Sequence, residues 1–136
     1  MKRAGFTMIE LIFVIVILGI LAAVAIPKLA ATRTDATATA ALSDFKNSIK
    51  TMTTQAMALG AVSNTFASDH VLPTDTLTVG SLTVQADVAG TNCVLATVDD
   101  TNNTLTISID SVLGNCQVFA NTQAETISLL GSTINR

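Results

Sequence analysis

From Phe6 to Ile26 this chain carries only two polar side chains, Thr7 and Glu10, and from Leu11 to Ile26 it carries none. No other stretch limits the possible folds as strongly. As an α-helix, about 21 residues at 1.5 Å each span roughly 31 Å, the thickness of a bilayer's hydrocarbon core. Lys2 and Arg3 stand just before the run. A helix apolar on every face has no solvated side to offer a small soluble domain. The segment is therefore a membrane or export element, and reasoning about the remaining fold begins after it.

Three readings fit a basic start followed by an apolar run. One is a secretory signal cleaved after Ala25, because Ala23-Val24-Ala25 has the small-x-small pattern of a cleavage site. A second is an uncleaved anchor holding an outer domain on the membrane. Both describe an exported single-domain binding protein. In the third, a peptidase cuts on the cytoplasmic side of the apolar run, which then stays with the mature chain.

Glu10 separates these readings. A carboxylate inside a membrane span costs about 2.5–3.5 kcal/mol on the insertion scale, so such a group has a function and a partner by default. Neither a signal peptide nor a plain anchor gains from it. Cleavage after Gly5 would expose an amine on Phe6, and an α-amine titrates near pH 7.7–8.0, at about the right place to supply a positive charge.

The stretch Lys2 to Leu29, KRAGFTMIELIFVIVILGILAAVAIPKL, closely resembles the N-terminal segment of type IV pilins and type II secretion pseudopilins. The resemblance covers about a fifth of the chain. It implies that a prepilin peptidase cuts after Gly5 and N-methylates Phe6, and that Glu10 is the family's assembly glutamate. It also implies partners: copies of the chain itself, other pilin-like subunits and the inner-membrane assembly machinery. The subunit would wait in the inner membrane with its head in the periplasm, then enter an extracellular pilus or a periplasmic pseudopilus. The same resemblance suggests that residues 19–27 unwind in the filament. Gly19 and Pro27 interrupt the helix there, the proline leaving the Ala23 carbonyl without its helical donor.

Beyond Pro27 the pattern remains helical. Phe45, Ile49, Met52, Ala56 and Leu59 recur at spacings of three and four and form one apolar stripe. A helix from Phe6 to Leu59 would be about 80 Å long, too long for a domain of this size to bury, so its first half is expected to protrude. After Gly60 the period changes to two. Ser63 to Pro73 reads as a loop. Leu77, Val79, Leu82, Val84, Ala86 and Val88 alternate with polar residues about a turn at Gly80-Ser81. Cys93 to Val98 reads as a strand, and Thr104 to Ile109 alternates strictly. Cys116 to Ala120 reads as a fourth strand, and Gln123 to Arg136 fits either a helix or a strand. The expected fold is α+β: a long N-terminal helix packed on a small antiparallel sheet. Its parts are a leader (1–5), an apolar assembly helix (6–27), an amphipathic half (28–60) and a β-rich head (61–136). In an exported head the two cysteines, Cys93 and Cys116, are expected to form a disulfide.

The rest of the composition narrows the chemistry. Charged residues are 12% of the chain, against about 25% in ordinary domains, which excludes a disordered chain. With no Trp or Tyr and a net charge of −3, neither a basic face nor a stacking platform is available, and no nucleic-acid partner is expected. One histidine and two cysteines are too few for a zinc site. His70 lies beside Asp69 without a serine motif, so no catalytic residues, metal or cofactor are assigned. Asp99, Asp100, Asn102 and Asn103 could offer oxygens to calcium, but they do not match an EF-hand loop, and turn formation accounts for them. Asn102-Asn103-Thr104 has the spacing of a glycosylation site, with Asp100 two residues before the asparagine, although a turn alone explains it too. From residue 51 onward there are seven acidic side chains, and Arg136 is the one basic residue. An acidic head following a basic stem suits packing between neighbours in an array, and it suits an ordinary solvated surface equally well.

Overall fold

The computed structural model describes residues 5–130. The chain divides into two compact units, Met1–Arg33 and Thr34–Arg136. The first helix, α1 (Met8–Leu59), contributes residues to both. Its assignment runs through Gly19 and position 27 without a break. It stops where the pattern stops: Gly60 adopts φ +67°, and its N–H donates to the Ala56 carbonyl at 2.9 Å. A left-handed residue after the last turn favours glycine, which has no Cβ to strain.

In the first unit every side chain from Gly5 to Ile26 is exposed. After Glu10 the next polar side chains follow position 27, where the Thr32 hydroxyl donates to the Lys28 carbonyl at 3.0 Å.

The second unit opens with the amphipathic half of α1. Ala38, Ala41, Phe45, Met52 and Ala56 are buried there, and Ser48, also buried, completes a stripe at three- and four-residue spacing. The stripe begins two turns earlier than Phe45, because Ala38 and Ala41 are small enough to let the helix approach its partners closely. Leu59, expected on the stripe, is 60% exposed. This half is rich in Ser and Thr, which are poor helix formers partly because their hydroxyls compete for the backbone. Here the hydroxyls of Thr39, Ser48, Thr51 and Thr54 donate to the carbonyls four residues back, so the competition is settled inside the helix.

The sheet has five antiparallel strands, β1 (Leu77–Val79), β2 (Thr83–Val88), β3 (Thr91–Asp99), β4 (Thr104–Ile109) and β5 (Glu125–Ser128), in the order β1-β2-β3-β4-β5. Alternation puts one set of side chains inward: Val84, Ala86 and Val88 on β2, Val94, Ala96 and Val98 on β3, Leu105 and Ile107 on β4. Most are small, so the largest buried groups come from outside the sheet. Phe45 of α1 meets Phe119 edge-on, ring centroids 6.4 Å apart, and Phe66 is also buried. The two residues between β2 and β3, Ala89 and Gly90, both have positive φ (51° and 78°), which suits a tight hairpin to the twist of its strands.

Two segments differ from the sequence reading. Residues 116–120 are not a strand: Gly114–Phe119 is a 3-10 helix. Its Cys116 forms a disulfide with Cys93 of β3, Cα atoms 5.2 Å apart, both cysteines fully buried. A compact turn brings Cys116 to β3 and Phe119 to Phe45 together, which a strand with side chains on alternate faces would not do. Within the expected loop after Ser63, residues Phe66–His70 form a short helix, α2. It is held by Thr65, whose hydroxyl donates to Asp69 at 2.7 Å, and by the buried Phe66 ring. The ambiguous tail resolves as β5 for Glu125–Ser128, while residues 131–136 lie outside the described residues.

Candidate functional site

The residues singled out near the N-terminus occupy one short stretch. Gly5, Phe6 and Thr7 are non-helical and exposed, and α1 begins at Met8. Phe6 is 91% exposed. A Cβ added at Gly5 would meet nothing within 4 Å, and the same holds at Gly19. Neither glycine is required by the packing of this chain.

Glu10 sits in the first turn of α1 and is bonded to Thr7. Its Oε2 accepts the Thr7 N–H at 2.8 Å and the Thr7 hydroxyl at 2.7 Å. The Glu10 N–H in turn donates to Thr7 Oγ1 at 3.3 Å. This is a capping box: a threonine before the helix and a glutamate three residues later satisfy each other's orphan N–H groups. The carboxylate also stands at the positive end of the helix dipole. Thr7 is the partner of Glu10 that the sequence reading passed over, although a Thr-x-x-Glu spacing ahead of an apolar run is itself a visible signal. The finding changes the account of Glu10. One carboxylate oxygen is occupied within the chain, and Oε1 accepts no hydrogen bond among the described residues.

The polar groups of the head serve local structure. His70 Nδ1 lies 2.9 Å from the Phe66 carbonyl, and its ring packs on Phe66 with centroids 4.6 Å apart. Asp69 is bonded to Thr65. The adjacent His and Asp therefore face different partners. Asp44 accepts from the Thr76 and Thr74 hydroxyls at 3.0 and 3.3 Å, tying α1 to the start of β1. At the β3–β4 turn, Asp99 Oδ1 accepts the N–H groups of Thr101 and Asn102, each at 2.9 Å, and Oδ2 accepts the Asn102 side-chain amide at 2.7 Å. Asn102's backbone N–H, its side chain and then Thr101's N–H favour the charged form, and together they outweigh desolvation and hold Asp99 below the ordinary carboxylate range. Both Asp99 oxygens are thus used by the turn. No group of three or more His, Cys, Asp or Glu that could hold a metal ion occurs among the described residues.

Comparison with known proteins bears on the N-terminus alone. Residues 1–26 match the family model of the prokaryotic N-terminal methylation motif. No curated protein and no solved structure matches the chain. The match spans Gly5, Phe6, Thr7, Glu10 and the apolar run whose side chains are all exposed. The chain carries at its N-terminus the prepilin-type signal of type IV pilins and pseudopilins.

Proposed function

We propose that the chain is a structural subunit of a type IV pilus-like or type II secretion filament, stored in the inner membrane and polymerised through its N-terminal helix. The observation that carries this reading is the exposed apolar run from Phe6 to Ile26, headed by the methylation motif. Removing that much apolar surface from water favours lipid first and a bundle of like helices second. A prepilin peptidase cuts the Gly5–Phe6 bond and methylates Phe6. The absence of any packing need for glycine at position 5 supports a requirement imposed from outside, by the peptidase.

The cut turns the Phe6 nitrogen from an amide into a cationic amine. Glu10 can then meet two kinds of partner. The Thr7 bonds satisfy one oxygen without neutralising the charge, which lowers the cost of waiting in the membrane but leaves a net carboxylate there. The Phe6 amine of a neighbouring copy neutralises it. Because that pair crosses between subunits, it sets their axial register, a role buried polar groups also play in coiled coils. In the assembled state, Gly19 and Pro27 allow the helix to unwind between them. The head, exported and closed by its disulfide, forms the outer surface.

Expression together with the assembly machinery, followed by shearing and electron microscopy, tests this reading. Ordered filaments containing the chain are expected. A chain found only as a dispersed membrane or periplasmic monomer, with the machinery intact, would overturn it.

A further inference from the structure

The β3–β4 hairpin ends in Asp100-Thr101-Asn102-Asn103-Thr104, and the Asx turn accounts for only part of it. The turn is made by Asp99, whose carboxylate holds two backbone N–H groups, and by Asn103, which takes the left-handed conformation at φ +54°. It makes no use of the Asp100 carboxylate or the Thr104 hydroxyl, neither of which has a hydrogen-bond partner among the described residues. Those two groups flank Asn102 at positions −2 and +2. We propose that Asn102 is an acceptor site for an N-linked oligosaccharide, transferred after export from a lipid-pyrophosphate carrier.

The chemistry explains why these residues matter together. An asparagine amide is a poor nucleophile, since its nitrogen lone pair is delocalised into the carbonyl. A transferase must grip the acceptor at more than one point to bring that nitrogen to the sugar. A hydroxyl two residues after the asparagine and a carboxylate two residues before it provide a hydrogen-bonding handle and an anionic handle for a cationic side chain. In the step itself, Asn102 Nδ2 attacks C1 of the first sugar. The N–C1 bond forms, and the bond from C1 to the phosphate oxygen breaks. The electron pair leaves with the lipid pyrophosphate, and Nδ2 loses one proton. One N–H remains on the product.

In the folded turn Asn102 Nδ2 donates to Asp99 Oδ2 at 2.7 Å, so reaction at that nitrogen requires this bond to open. Thr101 and Asn102 are exposed at the hairpin tip, where modification leaves the core untouched. The β3–β4 ladder ends at the Asp99↔Thr104 pair. Presenting residues 100–104 to an enzyme releases that pair, the Thr104↔Ser128 pair with β5, the Asp99 bonds and the Leu129 N–H to Asn103 carbonyl bond of 2.8 Å. The next pair, Val98↔Leu105, lies on buried side chains and holds the register.

The inference uses the export of the head and is independent of polymerisation. Its test is mass spectrometry of the chain purified from its own host, read at the N-terminus and at an endoprotease fragment containing Asn102. The expected result is a fragment heavier by a whole number of sugar residues, with the mass on Asn102. That increment is lost completely in Asn102→Gln and also in Asp100→Ala, which keeps the asparagine and the threonine. An unmodified Asn102, a sugar elsewhere in the fragment, or a glycan that survives Asp100→Ala would overturn the proposal. A bare Asn102 in a chain that begins at Phe6 would sink this inference and leave the filament reading standing. A chain that begins at Ile26 would sink the filament reading instead.

Discussion

Two stretches of α1 differ both in how their apolar residues are spread and in what surrounds them. Between Ala38 and Ala56 they recur at three- and four-residue intervals, and the stripe is buried against the sheet and Phe119. Between Met8 and Ile26 they cover every face, and none is buried. The difference shows that the spacing of apolar residues, read together with their number, records where a helix finds its partner. A stripe is matched by one surface of the same chain. An all-round apolar helix needs partners on all sides, and one small head cannot supply them, so they come from lipid or from other copies.

That contrast can be broken, and the largest effect belongs to the first stretch. Glu10→Ala is expected to leave cleavage and head folding intact and to abolish ordered filaments, scored by electron microscopy of sheared material. Glu10→Gln, which keeps an oxygen for the Thr7 bonds but loses the charge, should fail in the same way. If it assembles normally, the capping box and not the charge is what assembly needs.

Next comes the core of the head. Phe119→Ala removes a fully buried ring packed on Phe45 and should cost about 3–5 kcal/mol in chemical denaturation of the full chain in detergent. Leu18→Ala, at a position 58% exposed, should leave the head's unfolding midpoint unchanged. An equal loss from both would erase the distinction between the two stretches. Cys93→Ser opens a disulfide-closed segment of about 24 residues and should cost roughly 3 kcal/mol. Thermal melts with and without reductant would check this, and the variant should be indifferent to reductant.

Smaller effects come from the caps. Thr7→Ala deletes the hydroxyl of the capping box and should weaken the first turn of α1 by about 1 kcal/mol, seen as faster amide exchange at Met8 to Leu11 with no change in the head. The smallest is acid dependence at Asp99. Hydrogen bonds to its charged form depress its pKa in the folded head. The stability it contributes is therefore present above the unfolded value of about 3.9 and is lost as pH falls through the lower folded value. A carbon-13 titration should place the Asp99 midpoint below that of an unfolded chain, and Asp99→Ala should remove this slice of acid sensitivity.

Residues differ in how much they disclosed in the sequence. Strict alternation from Thr104 to Ile109 marks β4 to the residue, since a half-buried strand must alternate. Gly60 marks the end of α1 because the left-handed φ there favours a residue without Cβ. Cys116-Gln117-Val118-Phe119 carries no such mark. A short apolar run reads equally as strand or turn, and its shape is decided by where Cys93 and Phe45 lie in space. Ala38 and Ala41 were missed because a small side chain signals little hydrophobicity yet fits a close helix–sheet approach. At the N-terminus the cost of a carboxylate in an apolar run drew attention to Glu10, and the matched motif spans it together with Gly5 and Phe6. Thr7 was passed over, because Glu10 already had an explanation in the Phe6 amine.

The central claim is that residues 6–26 remain part of the mature subunit. Intact-mass and N-terminal analysis of the chain recovered from its host's membrane tests this most directly. The account predicts a mature chain whose first residue is Phe6, one methyl group heavier than the unmodified amine. A mature chain beginning at Ile26, with the apolar run removed, would contradict it.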